Sequence, residues 1–257
     1  MTTRAAGTGT TTERLLRNRP VARRLHAAVY LLTGFLFLSG LAVLGEGRPA
    51  IEALLGGHVA AARWHRWVGF GLMGLGVLVA VLRPGTSTWF LAESARFGRR
   101  DLVWFVRHPR FLLRPARYAS ARHDGHFDPG QRVFNVVVVV SLLVLAVTGA
   151  VMSFPQRFVP VAFAASLQIH RAITWVLGIA VAGHLVVVSG LFRGYRGVWR
   201  AMHSDGRVRI TLAQVLWPEW ARDQEGGRPP ERPARPTIRP RTTPRRRTRG
   251  WCWGCGP

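Results

Sequence analysis

Lysine is absent from this 257-residue chain, and all 36 of its strongly basic residues are arginine. Arginine-only usage reads as a compositional bias of the genome and carries no mechanism by itself. Acids are scarce too, at 12, so the formal net charge is +24 at pH 7. Such a balance usually raises nucleic acid as a partner. Here the charge lies between and beyond long apolar runs, and no basic helix or aromatic-basic module stands clear of them. Nucleic acid is therefore not expected as a partner. Cysteine occurs twice, as Cys252 and Cys255 at the extreme C-terminus. With no second CxxC and no strand–helix context, the pair reads as incidental to the tail rather than as a redox or zinc site. The apolar part has no cysteine, which excludes Cys-ligated iron–sulfur clusters there. No A-x-A-like cleavage site follows the first apolar run, which is also too long for a signal-peptide core. Arg23-Arg24 therefore precede an uncleaved helix, not a twin-arginine signal.

What the chain does have is four apolar segments, at 25–44, 64–82, 133–154 and 167–192. Each is about the 20 residues a helix needs to cross a bilayer. The third contains the run Val136–Val140, which in lipid still favours helix, because a lone strand leaves its backbone polar groups unsatisfied. The expected fold is an all-α membrane protein, a four-transmembrane-helix bundle. Arginine clusters before the first span, in the 83–132 loop and after the fourth span, while the loops joining spans one to two and three to four carry few. By the positive-inside rule both termini are cytoplasmic, which places the chain in a bacterial cytoplasmic membrane. The expected organisation is a cytoplasmic arm at 1–24, the four-helix domain at 25–192 and a cytoplasmic extension at 193–222. A basic Arg/Pro-rich tail at 223–257 has a composition that cannot bury a core and is expected to be disordered. The 83–132 loop is basic and aromatic in an amphipathic pattern, suited to the membrane interface or to a partner subunit.

Nine histidines are present. His58, His108, His123, His126 and His203 fall in loops or at loop edges and read as surface residues. The other four sit within or at the edge of the spans, where imidazole is costly and marks a relay, an ion path or a bound metal. His170 and His184 are fourteen residues apart in the fourth span, about 21 Å along a helix and within about 40° of one face. Topology then sorts the four into an outer pair, His65 with His170, and an inner pair, His26 with His184. Each pair draws on two helices, as bis-imidazole haem ligation in a bundle requires. The inner pair is offset in depth by about 12 Å, which helix extension, tilt or arginine snorkelling can absorb. Arg66 and Arg171 follow the outer histidines and are candidate partners for haem propionates. Glycines in the second and fourth spans permit close approach of a flat macrocycle or of another helix.

Several pieces of sequence occur in a familiar order: Arg24-Leu25-His26, Trp64-His65-Arg66-Trp67-Val68-Gly69, Phe127-Asp128-Pro129-Gly130-Gln131-Arg132, Leu167-Gln168-Ile169-His170 with His184, Gly206-Arg207-Val208, and Trp217-Pro218-Glu219-Trp220. Over roughly 20–222 the chain resembles the cytochrome b (gamma) subunit of respiratory formate dehydrogenase. That subunit lies within a wider group of prokaryotic di-haem b-type cytochromes that includes hydrogenase subunits. The resemblance implies two haem b groups, the outer on His65 and His170, the inner on His26 and His184. It implies a menaquinone or ubiquinone site near the inner haem, built from Asp128, Gly130, Gln131 and His184. The family pattern has Asn where this chain has Asp128, which suits a proton donor or a different hold on quinone. It further implies partners: an iron–sulfur beta subunit as electron donor and a catalytic molybdenum or tungsten alpha subunit. This chain would be the electron-transfer, quinone-reducing subunit and not the one that oxidises formate.

Three alternatives stay open from sequence. One is a cytochrome b subunit of a hydrogenase or another dehydrogenase. Another is a stand-alone cytochrome served by small soluble donors. The third, of a different class, is a haem-free transporter or anchor, against which count the lack of clear repeats and of broken helices.

Overall fold

Proline punctuates the chain where its ring suits a helix start, since the first-turn N–H it lacks has no helical partner anyway. Three of the four long helices begin on one. In the computed structural model, which describes residues 14–44 and 49–226, a short strand β1 (Arg14–Leu16) leads into α1 (Pro20–Val43). The short α2 (Pro49–Leu54) and the long α3 (His58–Leu82) follow. Two helices fill the middle loop, α4 (Pro84–Ser94) and α5 (Arg99–Leu113), and an extended stretch brings the chain to α6 (Pro129–Ser153). After α7 (Pro160–Val188) come α8 (Arg200–His203), strand β2 (Arg207–Arg209), α9 (Ile210–Leu216) and α10 (Pro218–Glu225). The segment 227–257, with Cys252 and Cys255, lies outside the described residues, as does 1–13.

Helices α1, α3, α6 and α7 are each long and apolar enough to cross a membrane. Their apolar side chains point outward rather than into a core: Val77, Val81, Leu143, Val147 and Ile179 are all more than half exposed. Patches of that extent are not left facing water, but they suit lipid. The valine run in α6 is helical throughout. All four spans begin earlier than their hydropathy runs. The reason at α1 is visible: its first turn carries Arg23, which lowers the apolar average yet binds the Met202 carbonyl at 3.3 Å and the Ser204 carbonyl. The bundle is two hairpins, α1 against α3 and α6 against α7, joined mainly through α3 and α6.

Residues 14–24 of the arm, the middle loop and the C-terminal extension are not separate appendages. They fold together at one end of the bundle. β1 pairs antiparallel with β2, with Leu15 opposite Val208. Phe111 of α5 shares a buried cluster with Tyr195, Val208, Leu216, Trp217 and Trp220. Arg17 lies between Trp217 and Trp220, 4.4 Å from each ring centre, and donates to the His126 carbonyl at 2.6 Å. This layer caps the start of α1, the end of α3, the start of α6 and the end of α7. An even number of crossings is what lets all four ends meet.

The histidines of the layer depart from the surface reading. His108 and His123 are buried. His108 stacks on Trp104, ring centres 3.8 Å apart, and meets the Tyr195 hydroxyl at 3.0 Å. His123 Nε2 bonds the Leu216 carbonyl at 2.8 Å. Sequence periodicity missed His108 because α5 presents a mixed face, Asp101, Trp104, His108 and Phe111, to the layer's interior, and missed His123 because its partner is distant in sequence.

Candidate functional site

At the end of the bundle away from the layer, His65 of α3 faces His170 of α7, with ring centres 6.2 Å apart. Each imidazole is held from behind. His65 Nδ1 lies 2.9 Å from Ser39 Oγ of α1, and His170 Nδ1 lies 2.8 Å from Thr148 Oγ1 of α6. Both hydroxyl-bearing residues are buried. The backbone beside each is glycine: a Cβ on Gly40 would come 3.4 Å from His65 Cε1, and one on Gly149 3.6 Å from His170 Cε1. All four helices therefore meet at this level, with α1 and α6 supplying the support and α3 and α7 the imidazoles.

A first-row metal sits about 2 Å from an imidazole nitrogen, and the ring centre about 1 Å behind that nitrogen, so two imidazoles that would share one metal from opposite sides have centres about 6 Å apart. The 6.2 Å observed meets that requirement. Two imidazoles with no carboxylate between them among the described residues also suit a b-type haem rather than a hard cation. Arg66 and Arg171, next to these histidines in sequence, are both exposed.

The layer end of the bundle carries the other two histidines of the spans. His184 lies four residues before the end of α7 and stacks on Phe134 of α6, ring centres 4.3 Å apart and planes within 9°. His26 lies six residues into α1. Its ring neighbours are Tyr30 at 5.7 Å and His203 at 5.6 Å. Its Nδ1 is buried and has no hydrogen-bond partner among the described residues. The structure thus adds a third imidazole, His203 of α8, at this level. Sequence reading placed it on the surface without a partner. It is exposed, yet it packs edge-on against both His26 and Tyr30.

The segment leading into α6 has structural duties of its own. Asp128 caps the helix, its carboxylate accepting from the Gln131 N–H at 2.8 Å. A Cβ on Gly130 would stand 2.9 Å from the Trp104 ring, so only glycine lets α5 approach α6 here. Phe134, one turn farther on, carries the stack with His184. Behind this segment Arg132 is almost wholly buried and binds Asp101 at 3.1 Å, Glu93 at 3.5 Å, the Arg96 carbonyl at 2.7 Å and the Asp124 carbonyl. Glu93 also accepts from the His126 N–H at 2.7 Å. Gly125, with φ +89°, closes the turn over this network, where a Cβ would strike Glu93.

Electrostatics in the layer follow burial. Desolvation pulls His108 down to about 4, against the pull of Asp128. Desolvation and the neighbouring Arg17 cation pull His126 down to about 2. Arg17 itself is drawn to about 9 by its burial, partly offset by Asp128 and Glu93, and stays charged at neutral pH. Its guanidinium can only donate, and it does so to His126.

Ser39, Thr148, Phe134 and His203 were not singled out from sequence. The signal available for the first two is a hydroxyl followed by glycine, Ser39-Gly40 and Thr148-Gly149, inside otherwise apolar runs. The profile of the prokaryotic cytochrome b561 family matches residues 17–205 of the chain. A search of curated proteins finds no match. The profile spans all four long helices and the histidines described above.

Proposed function

The chain belongs to the prokaryotic cytochrome b561 family, and from that membership together with the resemblance over 20–222 we propose that it is the di-haem membrane subunit of a respiratory formate dehydrogenase, linking an iron–sulfur partner to membrane quinone. Family and helices together make it a multi-pass membrane b-type cytochrome, a protein of electron transfer. Haem b, when bound, supplies reversible one-electron chemistry at a potential set by ligands, burial and hydrogen bonding.

The single observation that carries the haem reading is the His65–His170 pair, spaced for a shared metal and supported from both sides. His65 and His170 hold the outer haem, and His26 and His184 the inner one. Arg66 and Arg171 bind propionates at the outer level by charge-assisted hydrogen bonds. Asp128, Gly130, Gln131 and His184 border the quinone site: Asp128 and Gln131 start the helix whose next turn, Phe134, lies flat on His184. The arginine-rich layer faces the cytoplasm by the positive-inside rule. That puts the quinone end on the side from which protons are drawn, and the His65 end on the side where an iron–sulfur subunit docks. The formate specificity rests on the resemblance over 20–222.

Protein purified from membranes should contain two haems per chain by pyridine haemochrome assay. His65→Ala and His170→Ala should each remove the same one, and His26→Ala and His184→Ala the other. Loss of the inner haem in His203→Ala but not in His184→Ala would reassign that ligand. Unchanged haem content in all four primary variants ends the di-haem reading. In membranes holding the partner subunits, formate should reduce both haems. Reduction by hydrogen and not by formate would place the chain in a hydrogenase instead.

A further inference from the structure

We propose that a repeated hydroxyl–glycine clasp, Ser39-Gly40 on α1 and Thr148-Gly149 on α6, fixes which nitrogen of His65 and His170 is free to bind metal and in which direction it points. This rests on the proposed role of His65 and His170 as outer-haem ligands.

A hydroxyl has one proton to give. Ser39 Oγ donates it to the Phe35 carbonyl four residues back, at 2.8 Å, and Thr148 Oγ1 does the same to Val144 at 2.8 Å. With that proton spent inside its own helix, each oxygen can only accept from the imidazole facing it. The proton of His65 and of His170 is thereby assigned to Nδ1, at 2.9 and 2.8 Å from the two oxygens. A neutral imidazole carries a single N–H, so the lone pair lies on Nε2 in both rings. Each ring then keeps a bare Nε2, and the two ring centres lie 6.2 Å apart.

Bonding back to the i−4 carbonyl is what serine and threonine commonly do in apolar helices. It does not account for the second bond of each hydroxyl, which ends on the imidazole of the neighbouring helix in both hairpins. Nor is the likeness a matter of one spacing, since the partners are 26 residues apart in one hairpin and 22 in the other. Both hydroxyl-bearing residues are buried. The adjoining glycine puts no side chain against Cε1, the ring carbon next to Nε2. Ligand histidines in metalloproteins are oriented by a partner at the other ring nitrogen, which also makes the ligand more electron-donating. An electron-donating ligand favours the oxidised metal, so loss of the hydroxyl should raise the potential.

The test uses the full-length protein, purified from membranes, with Ser39→Ala and Thr148→Val. Haem per chain, the redox titration of each haem and the low-temperature EPR spectrum of the oxidised protein are measured. Each variant should weaken retention of one haem by about tenfold, shift that haem's midpoint potential upward and leave the other haem's potential and signal unmoved. Ser39→Thr and Thr148→Ser, which keep the hydroxyl, should hold the wild-type potential. Wild-type potentials and EPR signals in the hydroxyl-free variants overturn the clasp. So does an equal shift in the hydroxyl-retaining variants, because it would report packing rather than the hydrogen bond. If His65→Ala keeps both haems, the ligand assignment falls first and the clasp with it, an outcome distinct from failure of the clasp alone.

Discussion

Removing Arg132 should cost more stability than any other single polar substitution in the extramembrane layer. The residue is 1% exposed, and its guanidinium stands between two carboxylates, Asp101 at 3.1 Å and Glu93 at 3.5 Å. It also serves the carbonyls of Arg96 and Asp124. Arg132→Met keeps most of the volume and deletes every one of those bonds. Two acids whose side chains are less than a tenth exposed then share a pocket with no cation. Breaking a buried pair by removing one partner costs about 3–5 kcal/mol. In a chain of this size that lowers the unfolding temperature by about 10 °C. Tryptophan fluorescence during thermal unfolding in detergent reads it directly, since Trp104, Trp217 and Trp220 are buried in the layer. The triple variant Arg132→Met, Glu93→Gln, Asp101→Asn replaces the charges with neutral groups of similar shape. It should recover most of the loss, because a buried ion pair is worth little against a well-packed neutral set. If Arg132→Met unfolds within about 1 kcal/mol of wild type, or if the triple variant is as unstable as the single, the network does not hold the layer together.

Three further outcomes follow from the geometry. Asp128→Ala should lose about 1 kcal/mol of stability with the α6 cap, whereas Asp128→Asn keeps the cap; quinone reduction that falls in Asp128→Asn at unchanged melting temperature marks the carboxylate as a proton donor, and unchanged reduction in both variants removes it from the quinone site. Gly130→Ala should cost about 1–3 kcal/mol by overpacking against Trp104, read as a lower melting temperature that Trp104→Phe partly restores. Stability should fall on acidification: His108 and His126 are neutral in the fold and have folded values of about 4 and about 2. Unfolding lets each take up a proton below its ordinary 6.5, so their contribution is present above that value and lost as pH falls through it. Between pH 7.5 and 5.5 each contributes at most about 1.4 kcal/mol, and a melting temperature flat across that interval refutes the assignment.

The spans and the histidine levels were legible in the sequence because lipid imposes one rule over about 20 residues at a time. Apolar runs of that length had to be helices, and helical geometry alone put His170 and His184 on one face at two depths. Arginine counts forecast that the arm, the middle loop and the C-terminal extension share one side. What sequence missed has short-range, mixed-polarity logic. His108 looked like a surface residue because no local pattern reveals that α5 buries a face containing an acid and an imidazole, and His123 did because its partner, the Leu216 carbonyl, lies 93 positions away. His203 looked unpartnered because α8 reaches His26 only once β2 has paired with a strand nearly two hundred positions earlier.

By itself, then, the sequence determined which segments lie in lipid and at which depth the four imidazoles of the spans lie, since both are set by composition and by the fixed rise of a helix. Only the tertiary structure decided that Ser39 and Thr148 stand behind His65 and His170, and that Arg132 lies between Asp101 and Glu93. Those are contacts between side chains on different helices, chosen by how the helices are rotated against one another, and no one-dimensional spacing records that rotation.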